Sequence, residues 1–150
     1  MKIPIKYGLL ATAGLIAWVL ITHLLVLNPQ SLVHTLGAPV FFNILHFVVI
    51  FLGIKALERE QEDRPPFKDA LKTGVSIAFV FAVTASLFFV LVLLFAGNRW
   101  LASEAGAANT PTQTLAAKAF AGLFLGTMIF GLIYSTVIGF FVAKRQSDQA

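Results

Sequence analysis

Three histidines, His23, His34 and His46, and one amide, Asn43, are the side chains of this sequence whose chemistry could do more than fill space. Each falls in or beside an apolar stretch, where an ionisable or polar group is a functional hypothesis by default. Neutral imidazole ligates haem iron and divalent metals, so two histidines at similar depth on neighbouring helices could hold such a group. His23 lies about one turn before the end of the first apolar stretch, and His46 about two turns into the second. The competing reading is structural: each imidazole hydrogen-bonds a carbonyl, Asn43, Thr22 or interfacial water. The sequence favours it, because it offers neither an H-x-x-x-H pair nor a carboxylate at that depth. No metal and no cofactor is therefore expected, and His23, His46 and Asn43 stand as the candidates for binding one.

A second group is the hydroxyls Thr127, Tyr134, Ser135 and Thr136 together with Thr84 and Ser86. In membrane helices such groups usually satisfy the carbonyl four residues back or a neighbouring helix, and that reading is preferred to a substrate path. No Asp or Glu lies inside an apolar stretch, no Ser/His arrangement is credible, and there is no cysteine. Proton-coupled carboxylate transport, intramembrane proteolysis and thiol chemistry thereby lose their residues. The chain is expected not to be an enzyme.

The elements that must position these groups are membrane spans. Of 150 residues, 58% are hydrophobic and 12% charged, with a mean hydropathy of +0.86. That composition describes an all-α membrane protein forming a single domain. The organising stretch is Phe67 to Phe95, which from Leu71 onward carries only Lys72 as a charge and exceeds what a hydrocarbon core of about 30 Å requires. Four spans are predicted, at about 7–27, 40–57, 71–96 and 120–143, with loops at 28–39, 58–70 and 97–118. An N-terminal signal peptide is the weaker reading of the first span, which is long and ends at Asn28-Pro29. The second span is expected to continue as helix beyond the bilayer through Arg59–Asp63 and Glu60–Arg64 pairs until Pro65-Pro66 break it. The segment Gly97 to Ala117 reads as a mobile polar loop, and the linker through Leu32, Val33 and Leu36 as a surface-lying turn.

Small residues at four-residue spacing predict where helices approach closely. Gly74, Ala78 and Ala82, followed by Ser86, form such a seam on the third span. The fourth carries Gly122 and Gly126, then Gly131, Ser135 and Gly139, and predicts close approach on two faces, the second open to another subunit or a second copy of the chain. Spans one and three run from small residues to bulky ones, so one half of the bundle should be tight. The other should splay into an apolar crevice near His23 and His46.

Counting basic residues fixes the expected orientation. Lys2, Lys6, Lys55, Arg59, Arg64, Lys68, Lys72, Lys144 and Arg145 fall on one side, and Arg99 and Lys118 on the other. The excess places both termini and the 58–70 loop in the cytoplasm, the loops 28–39 and 97–118 in the periplasm, and the spans in an antiparallel up-down bundle. The net charge of +4 sits at span ends with no basic stripe, so nucleic acid is not an expected partner. The lipid bilayer is.

Three phrases carry a family resemblance: KYGLLATAG at Lys6 to Gly14, the short arginine-bearing loop, and FKDALKTG at Phe67 to Gly74. With them the chain resembles a family of small four-helix bacterial inner-membrane proteins of unassigned function, in which an F-x-x-A-x-x-x-G phrase opens the third span. The resemblance implies a four-helix inner-membrane protein and supplies no catalytic residues. The expected role is structural or accessory, through interaction with another membrane protein. The alternative is a small transporter or a module binding a hydrophobic ligand or cofactor in the outer half of the bundle.

Overall fold

The computed structural model describes residues 2–24, 37–96 and 111–143, and these are helical with no strand among them. Helix α1 is Ile3–Leu24, α2 Gly37–Gln61, α3 Phe67–Ala96 and α4 Thr112–Val142. All four are long and apolar enough to cross a membrane. At 1.5 Å per residue, α3 and α4 reach roughly 45 Å and must tilt or project beyond the hydrocarbon.

Helices α1 and α3 begin four residues earlier than expected, and three boundaries of α2 and α4 depart for identifiable reasons. Helix α4 begins at Thr112, so residues 112–118, expected to be loop, are helix. Ala116, Ala117 and Ala119 have high helical propensity although they add little hydropathy, and the Pro111 carbonyl accepts the Leu115 amide at 3.1 Å. Helix α2 starts at Gly37 with Pro39 in its first turn, where a missing N–H has no intrahelical acceptor to lose. At its other end Pro65-Pro66 are not what stops it. The helix ends at Gln61, and Glu62 turns the chain with φ of 56°, the left-handed conformation that usually follows a helix C-terminus. Pro65 is then buried, and the Pro66 carbonyl starts α3 by accepting the amides of Asp69 and Ala70 at 3.0 and 3.1 Å. Near the C-terminal end of α2, Lys55 and Glu58 form an ion pair at 2.6 Å.

Helix α3 touches each of the other three, and its contact with α4 is by far the largest in the bundle. Its buried stripe of Ala70, Gly74, Ile77, Ala78, Phe81, Ala82, Ala85 and Ser86 follows helical spacing. Against it α4 sets Gly139 near Ala70 and Phe67, Ser135 at Gly74, and Gly131 at Ala78. A side chain on Gly74 or Gly131 would collide with those neighbours. Helix α1 meets α3 where Gly8 lies under Val80 and the Ile77 carbonyl, and where the hydroxyls of Thr12 and Thr84 hydrogen-bond. It meets α2 where Leu45 covers Gly14 and where Trp18 stacks on Phe41 at 4.3 Å.

Gly122 and Gly126 differ from these. A Cβ on either would meet no described atom within 4 Å. The close approach expected on a second face of α4 is absent among the described residues, because the bundle lies on the side of Gly131, Ser135 and Gly139.

Candidate functional site

His46 sits near the middle of α2 and is fully buried. It faces a junction of α2, α3 and α4, because the helical period that buries Val49, Ile50 and Gly53 also turns residue 46 inward. Aromatic rings enclose it. Phe81 lies at 5.2 Å between centroids, Tyr134 at 5.5 Å and Phe42 at 6.1 Å, with interplanar angles of 69°, 83° and 68°. Its Nε2 faces Gly131, where an added Cβ would stand 3.3 Å away.

Neither imidazole nitrogen has a hydrogen-bond partner among the described residues. The expected capping by a carbonyl, Asn43 or Thr22 is thus corrected for His46. Asn43 is engaged elsewhere: its Nδ2 donates to the Pro39 carbonyl at 2.8 Å and its Oδ1 accepts the Tyr134 hydroxyl at 2.7 Å. The Thr22 hydroxyl donates to the Trp18 and Val19 carbonyls at 2.9 and 3.0 Å. Edge-to-face rings offset part of the loss, since an imidazole N–H directed at an aromatic face makes a weak hydrogen bond. A neutral imidazole nevertheless carries one donor and one acceptor, and the acceptor gains nothing from a ring face.

The two histidines expected at similar depth are not level. Gly14 meets Leu45 and Trp18 stacks on Phe41, so the backbone of residue 23 is level with the start of α2 near Gly37. Nine residues of helix, roughly 14 Å, separate that level from His46. The backbones of residues 23 and 46 therefore do not share one depth along the helix pair. The His23 side chain and all of His34 lie outside the described residues, as do the linker turn 32–36 and the segment 97–110. Among the described residues no three potential metal ligands cluster. His46 also lines no open crevice, because Phe42, Phe81 and Tyr134 seal it.

The hydroxyls do not form one patch. Ser135 donates to the Gly131 carbonyl at 2.6 Å, Thr136 to Leu132 at 2.8 Å and Thr84 to Val80 at 2.8 Å, each four residues back. Thr84 faces α1, Tyr134 faces α2, and Thr136 is exposed on the outside of α4. Ser86 is buried, and its hydroxyl has no partner among the described residues. Two contributors escaped the sequence reading. Thr12 has a signal only once Thr84 is placed opposite it, whereas Phe42 precedes His46 by four residues and shares its helix face.

Fold and site together define a class, a bundle of helices of which four are long and apolar enough to span a membrane, with a polar group sealed in its core among the described residues. No protein-family model, no characterised protein and no solved structure matches this chain.

Proposed function

We propose that this chain is a non-catalytic accessory protein of a bacterial inner membrane that associates with another membrane helix through the outward face of α4. The observation that carries the reading is the contrast among its glycines. Gly8, Gly53, Gly74 and Gly131 are each occupied by a neighbouring side chain, while Gly122 and Gly126, spaced as G-x-x-x-G, face no described atom within 4 Å. Without a hydrophobic force between helices in lipid, close backbone approach at small residues is a main source of association. Membership in the small four-helix inner-membrane family belongs to the same proposal.

The orientation proposed is the antiparallel up-down bundle with both termini and the Glu62 turn in the cytoplasm. It is supported by the pairing of Gly139, Ser135 and Gly131 with Ala70, Gly74 and Ala78 in turn, and by the side on which Lys and Arg accumulate.

The absence of cysteine allows a direct test, with single cysteines introduced at Gly122, Gly126 and, as a control, the exposed Phe141. Native membranes treated with an oxidant or a short bifunctional reagent should give a discrete cross-linked species from Gly122→Cys and Gly126→Cys alone. Native mass of the product tells a second copy from a different subunit. Cross-linking no stronger than at Phe141→Cys refutes the interface.

A further inference from the structure

The seam between α2 and α4 is slight beside the α3–α4 contact, and at the level of His46 it sets Gly131 on its inner side and aromatic rings on its outer side. Phe47 and Phe130 are 40% and 43% exposed on its outer side, and both lie against Tyr134, at 5.6 and 6.0 Å. Tyr134 and Asn43, half-buried, are joined across the seam by their hydrogen bond. Behind Tyr134 lies His46, aimed at α4 with both nitrogens unpartnered. A surface of aromatic faces, a hydroxyl–amide pair and a buried imidazole with unused hydrogen-bonding capacity thus lie in line from the lipid inward.

We propose that this seam is a lateral binding site for a quinone or quinol carried in the bilayer. Charge excludes many occupants: α2 has no ionic side chain between Gly37 and Ile54, and α4 none between Ala119 and Val142. An anionic headgroup or a cation would find no counter-charge there, and burying either unpaired is strongly unfavourable. A neutral aromatic ring with oxygen at its edge meets what the seam offers. The rings of Phe47, Phe130 and Tyr134, set at 83° and 32° about Tyr134, offer such a ring both stacked and edge-to-face contacts. A quinone carbonyl accepts from the Tyr134 hydroxyl or an imidazole N–H, and a quinol hydroxyl donates to the unprotonated imidazole nitrogen. Tyr134 closes the route in the described state. Swinging its ring toward the lipid exchanges its bond to Asn43 for one to the ligand and uncovers His46. This inference rests on residues other than the Gly122–Gly126 face, so either proposal can fail alone.

The test uses the full chain in nanodiscs of phosphatidylethanolamine and phosphatidylglycerol, titrated with decylubiquinone and its quinol by calorimetry. Wild type should bind saturably. His46→Leu and Tyr134→Phe should each weaken binding roughly tenfold, the loss of one buried hydrogen bond. Thr136→Val, which removes an exposed hydroxyl on the same helix, should leave binding unchanged. Absent saturation, or one affinity shared by all four proteins, overturns the proposal and indicates partition into lipid only. Should His46→Leu fail to fold, Tyr134→Phe and photolabelling decide. An azidoquinone should label residues 43–47 and 130–134, and labelling concentrated at the lipid-exposed Phe140 and Phe141 would likewise overturn it. Native mass on the same samples reads oligomeric state separately.

Discussion

Replacing glycine with alanine at Gly131 and, separately, at Gly126 makes one chemical change in two surroundings on one helix, and the structure gives it opposite signs. At Gly131 the new Cβ would overlap the Ala78 Cβ and stand 3.3 Å from His46 Nε2. Neither neighbour is the far end of a flexible chain: Ala78 has no torsion with which to retreat, and His46 is held by three rings. The helices must separate, and overpacking of this kind costs about 1–3 kcal/mol. Against that stands the gain in helix propensity on leaving glycine, about 1 kcal/mol. Gly131→Ala should therefore destabilise by up to roughly 2 kcal/mol. At Gly126, where nothing described lies within 4 Å, only the propensity gain operates, so Gly126→Ala should stabilise by up to about 1 kcal/mol. Reversible unfolding in mixed micelles, at dilutions where the chain is monomeric, measures both. Equal shifts would refute the α3–α4 register, and a destabilised Gly126→Ala monomer would place a contact where the structure has none.

Glu62 holds a left-handed backbone conformation with a full side chain, so Glu62→Gly should stabilise the α2–α3 turn by about 0.5–1 kcal/mol in the same assay, and a loss of stability would show that the side chain itself holds the turn. The hydroxyl pair of Thr12 and Thr84 should give a coupling of about 0.6 kcal/mol in a double-mutant cycle with valine, and zero coupling would mean that each is satisfied by its own helix alone.

The sequence and the structure part company where spacing alone is asked to report what lies opposite. Gly74, Ala78 and Ala82 were readable as one face because four-residue steps fix which residues line up along a helix. The same spelling at Gly122 and Gly126 looks identical in the sequence, yet no described atom fills it. Period assigns a residue to a face, and only tertiary register assigns the face to a neighbour. Depth failed for the same reason: His23 and His46 each have a position within their own spans, but how α1 slides against α2 is set by Leu45 over Gly14 and Trp18 on Phe41. The start of α4 at Thr112 was hidden because hydropathy measures affinity for lipid, and alanine-rich helix can form without it. That His46 would find no partner was not legible at all. A histidine signals polarity, and whether its neighbours answer depends on three helices meeting.

The order of synthesis gives that junction a history. Of the three rings around His46, only Phe42 belongs to the first helical pair; Phe81 and Tyr134 arrive with the second, beyond the turn at residues 62–66. Without them the α1–α2 pair, held by Leu45 over Gly14 and Trp18 on Phe41, would leave the imidazole uncovered on its α3 and α4 sides. Docking of α3 and α4 is thus also an act of shielding, and it makes the first half of the chain dependent on the second for a reason other than contact area. A nascent chain stalled after Pro66 would display His46 as a mark of incompleteness, legible to any membrane quality-control factor that senses polar groups in the hydrocarbon.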